Sequence, residues 1–266
     1  MNTRTYPTSS RRRGLVVALA ATLSGIVLLT GCDAGTGTDA STDAGGTRAS
    51  VRPAPVSGST SAAPGVPTGG AFDPAEVLAA AGKKPYAANT RTVSELNGTP
   101  SSTTSGRSNL NGRFAGRVEI RALGGTTEIV TTDDAHYVRG GAAAGAEWTR
   151  RPRTDNGAGT SYEGYARLLL AAGPSARKGL DEQGGVATYH LAGRLGLAQI
   201  ASVDPRIHSS MKAKGVTGFD IDQWIDSQGR TLRFEQRFEL RGVEAANTVT
   251  FSDFGPAERF TAPTGG

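Results

Sequence analysis

The chain has 266 residues, with 29 Lys+Arg against 24 Asp+Glu, 37 glycines and a single cysteine. One cysteine excludes a disulfide framework, so any folded part is held by an apolar core. Four of the basic residues (Arg4, Arg11, Arg12, Arg13) and no acid precede Cys32, which leaves 25 basic against 24 acidic groups after it; a near-neutral chain without basic clusters excludes a nucleic-acid partner.

The first segment is an address. The basic head is followed by an apolar run from Leu15 to Leu29, then Thr30, Gly31 and Cys32. That order is a secretory signal. The run is shorter than the ~20 residues a membrane-spanning helix needs. Leu29-Thr30-Gly31-Cys32 resembles a lipobox, where a diacylglycerol joins the thiol and the chain is cut just before the cysteine. Residues 1–31 are thus expected to be a signal peptide. Cys32 is the expected lipid attachment, on the outer face of the cell membrane. Arg12-Arg13 leaves the export route open between the general and twin-arginine pathways.

Residues 32–70 follow as an acylated cysteine and a linker almost entirely of Gly, Ala, Ser, Thr, Asp and Pro, with Val51, Val56 and Val66 as its only larger aliphatics. Such a composition buries too little apolar surface to order itself. As a coil its reach is about 30–40 Å.

The folded domain is expected over 71–266. Asp73 can cap a helix, with Pro74 at its first position and Val77, Leu78 and Ala81 on one face. Gly82 ends it. Arg91 to Leu96 reads as a strand, broken by Gly98-Thr99-Pro100. Arg117 to Leu123 alternates, with Val118 and Ile120 on one face. Gly124-Gly125 turns the chain into Thr126–Thr132, and Asp133-Asp134 turns it again into His136-Tyr137-Val138. Arg150-Arg151-Pro152-Arg153 is the densest basic spot and reads as a solvated loop, with a contact to anionic headgroups as the sharper alternative. Tyr162, Tyr165, Leu168, Leu169 and Ala172 recur at helical spacing, stopped by Gly173-Pro174. Ala187–Ala192 reads as a strand, then Leu195–Ala201 and Pro205–Ala213 as short helices. Phe219, Ile221, Gln223 and Ile225 alternate with Asp220, Asp222, Trp224 and Asp226. Asp226-Ser227-Gln228-Gly229 signals a tight turn. Leu232–Arg241 is a long alternating strand carrying Phe234 and Phe238. Thr248–Ser252 adds Val249 and Phe251, and Arg259–Ala262 is expected to pair at an edge.

The fold class is therefore α+β: a curved antiparallel sheet covered on its concave face by a few short helices. One face is greasy and the other charged, as when one side meets water. The apolar face needs a cover, since a large exposed patch is a liability or a binding site. The helices are few, so two outcomes stay open: a hydrophobic cleft, or a closed and fully packed core.

Gln223-Trp224-Ile225-Asp226-Ser227-Gln228-Gly229-Arg230, the long strand after it, and Val249-Thr250-Phe251-Ser252-Asp253-Phe254-Gly255 resemble the end of the LppX/LprG family of LolA-like envelope lipoproteins. His136-Tyr137-Val138-Arg139 and Trp148-Thr149-Arg150 resemble its middle strands. The resemblance implies a half-barrel sheet over helices and an apolar cavity for acyl chains. It implies non-covalent binding of an acylated lipid or lipoprotein and no catalysis; no cofactor and a monomer are expected. The strand and helix positions carried over as cavity lining are Val118, Ile120, Tyr137, Leu168, Leu191, Phe219, Ile221, Phe234, Phe238 and Phe251.

Catalytic chemistry has little to stand on. His136, His190 and His208 have no second histidine or cysteine at metal-ligand spacing. Ser175-Ala176-Arg177-Lys178 and Ser209-Ser210-Met211-Lys212 match Ser-x-x-Lys, without the companion motifs of penicillin-binding enzymes. Asp220, Asp222 and Asp226 are spread along a strand, too far apart for a calcium loop. An acyl chain needs no motif: burying sixteen carbons supplies roughly 10 kcal/mol before ordering costs. The alternatives are an anchored interaction module with a filled core, and a hydrolase with a non-local triad.

Overall fold

A computed structural model describes residues 71–81, 84–140, 146–153 and 159–264. The signal peptide, Cys32, the linker and Gly82 lie outside the described residues.

The chain opens with helix α1 (Pro74–Ala80), capped by Asp73, whose carboxylate accepts from the Ala75 and Glu76 amides. Strands β1 (Tyr86–Leu96), β2 (Thr99–Leu110), β3 (Gly116–Ala122), β4 (Gly125–Thr131), β5 (Ala135–Gly140) and β6 (Thr149–Pro152) form a meander. Helix α2 (Tyr162–Ala171) and a short 3-10 turn lead into β7 (Arg177–Gln183) and β8 (Val186–Gly196). Helices α3 (Leu197–Ile200) and α4 (Pro205–Ala213) precede β9 (Gly218–Asp226), β10 (Thr231–Leu240) and β11 (Val243–Pro256). The eleven strands make one open antiparallel sheet, in the order β6-β5-β4-β3-β2-β1-β11-β10-β9-β8-β7. Two meanders are thus joined at a single seam, where β1 pairs with β11.

Tight hairpins set the register. Asn97-Gly98, Leu123-Gly124, Gly184-Gly185 and Arg241-Gly242 each have positive φ at both residues. Two-residue loops of that kind match the twist of the flanking strands. Gly98 and its neighbours were expected to break a strand; instead the turn is Asn97-Gly98, and Thr99 and Pro100 already belong to β2. β2 and β7 were not legible as strands, because Ser, Thr, Gly and charge dominate them. Arg150-Arg151-Pro152 is the edge strand β6 and not a loop. Arg150 pairs with Asp134 at 3.0 Å, and Arg153 donates to the carbonyls of Phe114 and Thr132. Arg259–Ala262 forms no strand. Glu258 just before it is strapped to β2 by Arg107 at 2.6 Å and by two hydrogen bonds with Asn109.

The helices lie on one face of the β8–β11 half. Tyr165, Leu169, Leu191, Phe219, Ile221, Phe234 and Phe238 pack there with Leu78 of α1. Tyr162 and Tyr165 meet Phe234 edge-on, both at 5.2 Å between centroids, the geometry that favours aromatic pairs. The opposite face carries ion pairs: Arg194–Asp220 at 2.9 Å, Arg237–Asp222, and Arg233–Glu235 at 2.5 Å.

The helix-covered face changes character across the sheet. Cross-strand register aligns Ile120, Thr104, Thr92, Val249, Phe234, Gln223 and Leu191 in one row. The next row reads Ser102, Ser94, Asn247 and Gln236, all buried, with Ser94 Oγ donating to Asn247 Oδ1 at 3.1 Å. The face expected to be greasy throughout is greasy on β8–β11 and hydroxylated on β1 and β2.

Two stability outcomes follow. Leu169 on the sheet-facing side of α2 is fully buried, and Leu169→Ala is expected to cost about 2–5 kcal/mol in urea unfolding. Leu123 holds a left-handed turn at φ 52 and is 75% exposed. Leu123→Asn suits that backbone, so it is expected to raise stability by roughly 0.5–1 kcal/mol in the same assay.

Candidate functional site: a cleft over the β1–β11 seam

A hollow of about 250 Å³ lies on the helix-covered face where the two meanders meet. Its floor is Thr90 and Thr92 of β1, Thr104 and Ser108 of β2, Val118 of β3, and Val249 and Phe251 of β11. Its roof is Phe114 and the segment 159–162. Short side chains explain the space. Threonine and serine reach less far from the sheet than the phenylalanines of β10, so over β1 and β2 the roof does not touch the floor. Gly106 contributes no side chain at all to this row, standing between Thr90 and Val118. A Cβ there would lie 2.1 Å from the Arg117 carbonyl oxygen and 2.6 Å from Val118 Cα. β2 therefore needs glycine to sit flat against β3.

A second hollow of about 670 Å³ adjoins the first and shares Leu110, Asn111, Thr160, Ser161 and Tyr162 with it. It is bounded further out by Tyr86, Glu163, Gln228, Arg230, Phe254 and Gly255, among others. This outer hollow lies where β1 begins and β11 ends.

Tyr162 is the partition. It is the first residue of α2, behind the capping Ser161, whose hydroxyl accepts from the Gly164 amide at 3.1 Å. Its ring meets Phe251 at 4.8 Å as well as Phe234, so it divides the packed core from the hollow. Its carbonyl accepts from Gln223 Nε2 at 2.9 Å. The same Nε2 donates to Thr231 Oγ1 at 2.8 Å, while Gln223 Oε1 is buried without a partner. Thr160 Oγ1 donates to Asp204 Oδ2 at 2.9 Å and holds the roof from the other side.

The charges of Asp226, Arg230 and Glu163 in the cleft are compensated. Asp226 is buried and accepts from the Gln228 and Arg230 amides, both at 2.9 Å, and from Arg230 Nε at 2.8 Å. Arg230 lies over the Phe254 ring at 4.3 Å. Glu163 accepts from Arg167 Nε at 3.0 Å. Burial pushes the Tyr86 phenol up to about 12, with the Asp226 charge adding to it. Burial also drives the Tyr162 and Tyr165 phenols far above the ordinary tyrosine range.

The residues expected to line a cavity divide into four groups. Val118 and Phe251 are on the wall of the inner hollow. Leu191, Phe219, Ile221, Phe234 and Phe238 sit in the packed core with Leu168 against them. Ile120 is buried one row along from Val118 on β3. Tyr137 lies on the opposite face: it pairs with Val130, which pairs with Arg117, and it packs with Ala135 and Trp148. A strand's two faces alternate, and β5 was read one residue out of phase with β3. Sequence reasoning did not single out Tyr162, Gln223 or the threonines of β1 and β2 as site residues. Gln223 carried a signal, an amide among apolar positions of an alternating strand.

The motifs weighed for catalysis are used structurally. Lys178 donates to the backbone carbonyl of Ser175 at 2.9 Å, and the Ser209 hydroxyl donates to the Pro205 carbonyl at 2.9 Å. His190 is 2.8 Å from Asp222 and stacks on Trp224 at 4.3 Å, on the charged face. His136 Nδ1 is 3.0 Å from Thr131 Oγ1, and His208 lies in α4. Among the described residues no group of three His, Cys, Asp or Glu is placed to hold a metal ion.

No protein-family model and no curated protein matches the sequence. Among solved structures, the chain is similar to LprF from Mycobacterium bovis, at 15% identity and a TM-score of 0.47, covering 73% of this chain and 99% of that one. It is similar to the lipoprotein LppX of Mycobacterium tuberculosis, at 13% identity and 0.41, covering 71% and 96%. A LolA superfamily protein from Nitrosomonas europaea matches at 11% identity and 0.26, covering 71% and 95%.

The phenols give a pH test. Tyr86 has a folded pKa above its ordinary 10.0. Its contribution to stability is therefore complete below pH ~10 and is lost as pH rises through ~12. Absorbance of phenolate at 295 nm should show a late-titrating fraction. Tyr86→Phe should shrink that fraction and shift alkaline unfolding to higher pH. Titration of every tyrosine near pH 10 with the fold intact would contradict this environment.

Proposed function

We propose that this is an extracytoplasmic protein, tethered to the cell membrane by a lipid on Cys32 and the segment 33–70, that binds an acyl chain of a lipid or lipoprotein as carrier or sensor. The inner hollow is the observation that carries this reading. It is buried between the sheet and the α2 segment, next to an aromatic core. Its walls combine methyl groups of threonine and valine and the rings of Phe114, Tyr162 and Phe251 with the polar groups of Ser108, Asn109, Asn111 and Ser161.

The magnitudes are adequate. A methylene fills about as much space as one water's share of liquid, roughly 30 Å³. A hollow of 250 Å³ thus takes about eight chain carbons. Their transfer from water supplies about 6 kcal/mol before ordering costs. The rest of a longer chain would lie in the outer hollow. A second reading is an anchored interaction module with no ligand. The solid packing over β8–β11 favours it, because half of the covered face is filled by the protein's own side chains.

Thr90 separates the two readings. It is half-buried on the hollow floor and belongs to no core cluster. Native mass spectrometry of the exported chain is expected to show a co-purifying acyl lipid. A fluorescent fatty acid is expected to bind the delipidated protein. Thr90→Trp fills the hollow and is expected to weaken that binding at least tenfold with little change in Tm. No lipid and no probe binding, or full binding by Thr90→Trp, would favour the ligand-free module.

A further inference from the structure

We infer that Tyr86 and Tyr162 hold the carbonyl group of the acyl ligand, each donating its phenol hydroxyl to the carbonyl oxygen where the head of the chain enters the outer hollow. The inference rests on the acyl-binding reading above and adds the chemical group that the protein recognises.

The two phenols differ from their polar neighbours in having nothing to bind. Asn111, Thr160, Ser161, Glu163 and Arg230 share the wall of the outer hollow, and each is hydrogen-bonded within the protein. Elsewhere, the Tyr137 and Tyr189 phenols are met by Arg150 and Arg177. Among the described residues, neither the Tyr86 nor the Tyr162 hydroxyl has a hydrogen-bond partner. A tyrosine hydroxyl drawn out of bulk water normally finds one.

Both phenols line the outer hollow, and Tyr162 lines the inner one as well. Their rings are fixed, Tyr86 against Phe254 at 5.8 Å and Tyr162 against Phe234 and Phe251. Burial keeps both protonated well above neutral pH, so both remain donors. Thr231 adds a third hydroxyl to this wall; its oxygen accepts from Gln223 Nε2, which leaves it a proton to donate.

A chain whose methyl end fills the inner hollow carries its head past Tyr162 towards these donors. Water on the hydroxyls is then displaced, and a head that cannot replace its hydrogen bonds loses affinity. A carbonyl oxygen, with two lone pairs and no proton, replaces them. The carbonyl can belong to an ester or to a free acid. Lys84 and Gln228 on the same wall are exposed, and Lys84 attracts a charged head whatever its hydrogen bonds. The deciding comparison is therefore between two uncharged heads.

The delipidated exported chain is incubated at pH 8 with equimolar methyl dodecanoate, 1-methoxydodecane and dodecanoate. Unbound ligand is removed by gel filtration and the bound lipid is counted by mass spectrometry. The ester and the ether differ only in the carbonyl oxygen. The ester is expected to be bound at least fivefold over the ether. Tyr86→Phe/Tyr162→Phe keeps both rings and is expected to bring that preference below twofold, with Tyr86→Phe alone giving part of the loss. Dodecanoate bound above the ester supports the inference with a free acid as the source of the carbonyl; dodecanoate bound below the ester but above the ether supports it with an esterified lipid. Equal binding of ester and ether, or a preference that survives in the double variant, would overturn the inference and leave the acyl-chain reading standing. Binding of none of the three would overturn this inference and the proposed function together.

Discussion

The pairing of β1 with β11 is the contact on which the rest of the molecule depends. Each half holds itself together by its own strand pairs, and among the described strands only the pairing of β1 with β11 joins the two. Their register brings Thr90 opposite Phe251 and Thr92 opposite Val249. On one side of that line the covered face is aromatic; on the other it is built of Thr and Ser. The seam is also a long-range closure, linking positions about a hundred and sixty residues apart in sequence. Such contacts form late, because chain entropy must be lost before they are made.

The hollow is a consequence of that step in side-chain size. Helix α2 is seated by Tyr165 and Leu169 on the large residues of β8–β11. Its first turn and the residues before it overhang the seam at the height those large residues set. Threonine at 90, 92 and 104 cannot rise to meet them. Interiors are otherwise close-packed, and an unfilled space beside a rigid aromatic cluster does not collapse unless the helix tilts. Gln223 opposes the tilt by binding the Tyr162 carbonyl and Thr231 at once. One buried acceptor, Gln223 Oε1, is left without a partner. A buried polar group in that condition costs free energy, which is offset by the aromatic packing on either side.

Much of this was legible in the sequence, and the limits have physical causes. Phe219–Ile225 and Leu232–Leu240 alternate so regularly that their strands and inward faces could be read directly. Helix α1 announced itself through the Asp73 cap and Pro74, and helix α2 through its apolar spacing and the Gly173-Pro174 stop. β2 was lost because Thr, Ser and Gly signal turns as readily as strands, and its place in the sheet is fixed by its neighbours on both sides. β7 was lost because an edge strand needs charge for protection and so shows no hydrophobic period. The candidate site was legible only in part. Val118 and Phe251 were found through their alternation. The phenylalanines that seemed best suited to a cavity are large enough to close their own half of the interior. Space was left by small residues, and small residues carry no such signal.

The most direct test of the account is to locate a bound chain. A crystal of the protein grown with a fatty acyl probe brominated at its methyl end gives one strong anomalous peak per ligand. The account places that peak in the inner hollow, among Thr92, Val118 and Phe251. Bromine on the charged face of the sheet, or at no ordered position while the hollow holds only water, would contradict it.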